Sequence, residues 1–176
     1  MTATTDRRWI NTADVAKLIR PALKKAFPAV KFSVRSRGYA GGSSIDVTWT
    51  DGPTTQQVDA VTKVYEGNRF DGMDDLQYHA DQWLCPEHGA SVARTYGSGD
   101  DRSGEVDPRC CEHAESVRFG VGYVQTQRRY SPEFRAELEA AVSRETGLPY
   151  DANTYVERWQ AWMSQLVERR LWETAR

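Results

Sequence analysis

Residues 31–53 read KFSVRSRGYAGGSSIDVTWTDGP. Apolar and polar residues alternate at period two on both sides of a glycine-serine turn, the pattern of a β-hairpin. Phe32 and Val34 share one face of the first arm, and Ile45, Val47 and Trp49 share one face of the second. Pairing Val34 with Val47 sets Arg35 opposite Asp46 on the other face, where unlike charges add a little support. Tyr39 to Ser43 are then the loop. Asp51-Gly52-Pro53 stops the second strand.

Working outward, the segment before the hairpin is helical. Asn11 and Thr12 are good N-caps. Val15, Leu18, Ile19, Leu23 and Phe27 recur at helical spacing, so they face the sheet. Pro21 lies inside this pattern and predicts a kink or break, because it lacks an amide proton and crowds the preceding turn. After the hairpin, Thr54 with Gln57 forms a capping box. A second helix follows, with Val58, Val61, Val64 and Tyr65 inward and Gly67 as its stop. Phe70-Asp71-Gly72-Met73-Asp74-Asp75 reads as an acidic turn. Val117 to Val124, VRFGVGYV, alternates as a third strand, and Gly120 and Gly122 leave one of its faces flat.

The end of the chain is helical. Ser131-Pro132-Glu133 is an N-cap, a proline at the first helical position and an acid in the first turn. Gly147 and Pro149 close that helix. A last helix starts near Asp151 or Thr154, with Tyr155, Trp159, Trp162, Leu166 and Leu171 in one broad stripe. Six tryptophans are more than this core needs, so the stripe is also a surface on which a second copy could dock as a homodimer.

Composition bounds the reading. The chain has 176 residues and a formal net charge of −2. That length fits one domain, and the charge argues against a globally basic nucleic-acid binder. There is no apolar run of about 18 residues, so no membrane span is expected. The opening MTATTDRRW lacks the apolar core of a signal peptide, which makes a cytoplasmic setting the expectation. Three cysteines in such a compartment point to thiols or metal ligands rather than disulfides.

The cysteines fall in a pattern. Cys85-Pro86-Glu87-His88-Gly89 and Cys110-Cys111-Glu112-His113 each contain C-x2-H, separated by a glycine-rich loop. Two knuckles of this spacing suit one tetrahedral zinc ion. Cys85, His88, Cys110 and His113 are the natural ligands, with Cys111 as an alternative to Cys110. Four protein ligands leave no open position, so such a zinc is structural. A cysteine nucleophile, Cys110 or Cys111 activated by His113, is the enzymatic alternative. No phosphate-binding loop, serine-hydrolase elbow or zinc-protease motif occurs.

A second candidate surface belongs to the hairpin. Lys31, Arg35 and Arg37 put positive charge on its outer face. Gly41, Gly42 and Ser43 could present backbone amides to a phosphate, and Tyr39 could stack on a base. The plainer reading of the same residues is a solvated sheet face and hairpin tip.

The run Thr12 to Asp75 resembles a domain family associated with large polyvalent proteins of phages and conjugative elements. The resemblance is carried by Lys31-Phe32-Ser33-Val34-Arg35-Ser36, Gly41-Gly42-Ser43-Ser44-Ile45-Asp46-Val47, Trp49, Asp51-Gly52-Pro53 and Phe70-Asp71-Gly72-Met73, with Gly122-Tyr123-Val124 and Arg128 similar to a closing strand. It implies a small α+β accessory domain of a phage, mobile element or bacterial host, and it brings no catalytic residues. The Cys/His segment departs from the family's simplest form.

The expectation is therefore one α+β domain over 9–176, after a disordered lead at 1–8. Residues 9–130 form the core, including the zinc loop 85–113, and 131–176 form a C-terminal helical pair. The sheet is small, mainly antiparallel and three-stranded, with helices packed on it. The function expected is non-enzymatic: contact with another protein, modulating host defence or DNA transfer. Nucleic-acid binding through the basic hairpin face is the first alternative and a cysteine-dependent enzyme the second.

Overall fold

The computed structural model describes residues 7–71, 76–96 and 103–176. Asp74 and Asp75 of the acidic turn, and the centre of the loop between the two Cys/His pairs, lie outside these residues. Among them the fold is α+β, with four α-helices and more strand than expected.

The hairpin has the predicted register. Strand β2 (Ser33–Tyr39) pairs antiparallel with β3 (Gly42–Thr50), setting Val34 against Val47 and Arg35 against Asp46. The loop is tighter than predicted, because pairing continues to Tyr39 and Gly42. Only Gly41 of the two turn residues has a left-handed backbone (φ 90°), which a side chain would strain. Val34, Ile45, Val47 and Trp49 are buried, each worth roughly 1.5–3 kcal/mol of apolar transfer. The Trp49 indole nitrogen donates to the Pro53 carbonyl at 3.0 Å, so its polar atom is satisfied.

Strand β1 (Arg8–Ile10) leads into helix α1 (Thr12–Ala26), capped by the Asn11 side chain accepting from the Asp14 amide at 2.9 Å. The lead is thus ordered at its end, against expectation. Arg8 to Ile10 pair in parallel with residues 117–119, and Arg7 reaches Asp81 at 2.9 Å. Helix α1 also runs unbroken through Pro21. Pro21 and Lys17 are both exposed, so water can satisfy the Lys17 carbonyl that loses its donor. Val15, Ile19 and Leu23 of α1 meet Val58 of helix α2 (Thr55–Thr62) in one core over the inner face of the hairpin. The Thr54–Gln57 capping box starts α2, and one 3-10 turn extends it to Tyr65.

The expected third strand is two strands in two sheets. After β4 (Asn68–Asp71), β5 (Leu76–Cys85), β6 (Gly89–Tyr96) and β7 (Ser103–Glu105), the chain forms β8 (Glu115–Phe119) and β9 (Tyr123–Arg129). Strands β1, β8, β5, β6 and β7 lie in that order in a six-stranded sheet, with β4 also on β5. Strand β9 joins the hairpin in the order β2-β3-β9, and its pairing with β3 is parallel. The small, mainly antiparallel three-stranded sheet is therefore corrected to a six-stranded and a three-stranded sheet, each with a parallel pair. The break falls at Gly120–Gly122, where the side-chain alternation slips by one. Val121 and Val124 are both buried and Tyr123 is only half-buried. The flat glycine face is covered by the largely exposed Trp9 ring, which lies too close to Gly120 for a Cβ to fit there.

The six-stranded sheet encloses polar groups. Asp81, 2% exposed, takes Arg7, Arg118 at 2.9 Å and the Tyr96 hydroxyl at 2.6 Å. Gln82, fully buried, donates to the Glu66 carbonyl at 2.7 Å.

Helix α3 (Pro132–Thr146) and helix α4 (Met163–Glu173) pack on each other around Phe134, Leu138, Val142, Met163 and Leu171. The last helix starts later than predicted. Tyr155–Val156 (β10) and Ala161–Trp162 (β11) form a two-stranded ribbon instead, closed by Gln160 in a left-handed conformation. Tyr155, Trp159 and Trp162 therefore precede the helix rather than extend its stripe. Tyr155 and Trp162 stack edge-on across the ribbon, both half exposed. Arg128 joins this helical pair to the hairpin. It is buried, and it donates to the carbonyls of Asp51, Gly52, Leu171 and Thr174.

Candidate metal centre

The first Cys/His pair is a hairpin turn. Cys85 ends β5 and pairs with Gly89, which opens β6 with a left-handed backbone (φ 83°). Three residues, Pro86 to His88, connect them. This turn aims the backbone N–H groups of Glu87 and His88 at the Cys85 sulfur.

The second pair arrives on a braced segment. Val106 and Asp107 donate their amides to the carbonyls of Ala93 and Val92, and the Trp83 indole donates to the Asp107 carbonyl. Arg109 folds the following turn by donating to the carbonyls of Glu112 and Ala114. Leu84 pairs with Glu115, so the chain re-enters the sheet beside the first cysteine.

The result is a compact donor group. Cys85, His88, Cys110 and Cys111 each offer one ligand atom, and these atoms lie within 4.8 Å of one another. The Cys85 sulfur is 3.3 Å from His88 Nδ1 and 3.4 Å from the Cys111 sulfur, which is 3.8 Å from that of Cys110. A tetrahedral zinc with bonds of about 2.3 Å to sulfur and 2.0 Å to nitrogen has sulfur–sulfur edges of about 3.8 Å and sulfur–nitrogen edges of about 3.5 Å. The group fits such an ion, and all three cysteines are free thiols. Both Cys110 and Cys111 are in the group. His113 stands outside it, with Nδ1 3.4 Å and Nε2 3.9 Å from the carboxylates of Glu87 and Glu112 respectively.

Burial pushes the Cys85 thiol up, but the two backbone amides, His88 and Cys111 outweigh it and lower the pKa to about 6. Cys110 moves the other way, to about 11, from burial and from the neighbouring sulfurs of Cys85 and Cys111. Crowded thiols that cannot all ionise are what a divalent cation relieves, since the metal takes sulfur as thiolate.

Beside the knuckle lies a cleft of about 790 Å³ between α1, α2 and the Cys85–Gly89 turn. Leu18, Ala22, Val61, Val64, Leu84 and Pro86 make its walls apolar, with Lys25 and Glu87 at the rim. Nothing in the sequence marked it, because its walls come from three separate elements.

The hairpin candidates separate. Lys31, Arg35, Arg37 and Tyr39 are exposed. The Ser43 hydroxyl points inward instead, donating to the Gly120 carbonyl at 2.7 Å and accepting from Thr12. Gly42 lies under the Tyr39 ring, and Gly41 is in the turn.

No helix among the described residues is long and apolar enough to cross a membrane. Among curated proteins and solved structures no match was found. Residues 10–131, which hold the three-stranded sheet, all of the six-stranded sheet but most of β1, and the Cys/His group, and leave out the α3–α4 pair, match the large polyvalent protein associated domain 29, and the chain belongs to that family.

Proposed function

We propose that this chain is a non-enzymatic interaction module of a phage, a mobile element or its bacterial host, held in shape by one structural zinc ion. The observation that carries this reading is a group of four donors within 4.8 Å of one another, three of whose separations, 3.3, 3.4 and 3.8 Å, are near tetrahedral edge lengths. Cys85, His88, Cys110 and Cys111 would fill the ion's coordination, leaving no position for a reacting water. His113, the donor expected from the sequence, would then lie outside the coordination shell. The cleft against the knuckle is the surface for a partner protein in this reading, because an ion clamping Cys85 to Cys111 fixes one of its walls. The family supports a setting in large polyvalent proteins, and modulation of host defence or DNA transfer is the role that fits it. A cysteine-dependent enzyme is less well supported. His113 faces carboxylates rather than a sulfur, and Cys85, the most acidic thiol, is 2% exposed.

Native mass spectrometry of the purified chain tests the metal: one zinc per chain, lost in Cys85→Ser, is expected. A metal-free wild-type protein overturns the reading. For the partner, nuclease-treated pull-downs should retain a protein that Leu18→Glu in the cleft no longer captures.

A further inference from the structure

The face of the three-stranded sheet turned away from α1 and α2 is open to solvent over most of its rows, Ser44 at 6% exposure being the buried exception. Its cross-strand rows follow from the register. Arg37, Ser44 and Tyr123 lie side by side, as do Arg35, Asp46 and Gln125, then Ser33, Thr48 and Gln127, and finally Thr50 with Arg129. Val34, Ile45, Val47 and Trp49 point the other way into the core, so alternation fixes this set as outward. Arg35, Arg37, Gln125, Gln127 and Arg129 are all exposed. No helix among the described residues covers them.

The charge on this face departs from that of the chain. The protein carries 23 basic and 25 acidic side chains, yet the face holds three arginines against one acid, Asp46. Arg37 already neutralises Asp46 at 2.6 Å, and Arg35 and Arg129 make no ion pair among the described residues. At one end a depression of about 690 Å³ brings Lys31 and Arg129 together with Thr48 and Thr50. At the other end Tyr39 is 55% exposed, its ring laid flat across Gly42, and Tyr123 stands half-buried at the end of the adjoining strand. Neutral glutamine and threonine side chains fill the middle.

We infer that this face binds single-stranded nucleic acid. Cations track the phosphates, the two tyrosines offer ring faces for stacking, and the amides and hydroxyls between them suit exposed base edges. Strands about 4.8 Å apart and a β2 arm about 20 Å long give a platform for roughly three to four nucleotides. A duplex presents no unstacked bases to the tyrosines. The face is separate from the cleft and the metal group, so this inference does not depend on the protein partner proposed above.

The test is fluorescence anisotropy with the full chain as purified, using labelled 12-mers of oligo(dT), oligo(U) and a DNA duplex. Binding is expected for both single strands, tighter than for the duplex, with affinity falling as salt rises. Arg35→Ala with Arg129→Ala should weaken it at least tenfold and flatten the salt slope by about 1.4, at about 0.7 per lost phosphate contact on single strands. Tyr39→Ala should cost about tenfold with the slope unchanged, the signature of stacking. Lys17→Ala with Lys24→Ala, on the helix side, should change nothing. All these side chains are exposed, and circular dichroism confirms that each variant folds. No binding at low salt, equal binding of duplex, or equal losses from the helix-side pair would each overturn the inference.

Discussion

The two sheets of this protein are held together in different ways. The three-stranded sheet closes over a continuous aliphatic core, with Ile45 and Val47 fully buried beneath α1 and α2. The six-stranded sheet holds buried Asp81 and Gln82 on its central strand and a cluster of sulfur and imidazole donors at its end. Both sheets draw on that core, since Ile10, Val117 and Phe119 of the six-stranded sheet are buried in the same cluster as Ile45 and Val47. The six-stranded sheet adds polar groups that are each expensive to leave unsatisfied. That makes the six-stranded sheet the more sensitive of the two to its chemical surroundings.

Chelation should separate the two most sharply. Structural zinc in small domains contributes on the order of 10 kcal/mol. Stripping the metal should abolish hydrogen-exchange protection in 82–96 and 103–117, while residues 33–50 keep theirs. Equal loss in both regions would show that the sheets are one cooperative unit. Ile45→Ala works from the opposite side. Emptying that core site should cost about 4 kcal/mol and lower the denaturant midpoint of the whole chain, because both helices rest on it. A change below about 1 kcal/mol would mean that the aliphatic core is not the common support. Asp81→Asn is the smallest of the three, at about 2 kcal/mol. It leaves Arg7 and Arg118, both partly exposed, without their carboxylate. Exchange should quicken in β1, β5 and β8, with zinc content unchanged.

The same contrast explains what could be read from the amino acids. In 31–53 alternation, turn residues and charge pairing agree, and the register Val34–Val47 with Arg35–Asp46 is as expected. The caps at Asn11, Thr54 and Ser131 and the stop at Gly147 follow from local chemistry and are all in place. Strand β5 was hidden. Its run LQYHADQWLC carries polar groups inward, and a register shift between Asp81 and Gln82 breaks the period of two. The parallel pairing of β3 with β9 joins distant residues and leaves no local mark. The end of the chain misled for another reason: Tyr155 to Trp162 has helical spacing, yet Gln160 turns left-handed and the tryptophans fall on a ribbon. Within the metal group, spacing drew Cys85, His88 and Cys110 together. The position of Cys111 depends on how Arg109 folds the turn after it, which is a tertiary matter.

Arg128 bears on how this architecture could change. Its guanidinium lies 5.1 Å from the Tyr130 ring and 5.4 Å from that of Phe134, and its donors all end on neutral carbonyls. The acid beside it is Asp51: burial raises its pKa, but Ser131 and Arg176 outweigh that and hold it below the ordinary carboxylate value, so mild acidity should leave the joint closed until pH falls through that lowered value. The joint also demands a planar fork reaching two chain segments at once, which lysine cannot supply. The helical pair at the end of the chain is therefore a keyed attachment. Its place against the hairpin rests on Arg128 together with Asp51, which takes the Ser131 amide and hydroxyl and Arg176 at 3.1 Å, and replacing both residues offers the shortest route to a molecule whose two cores move independently.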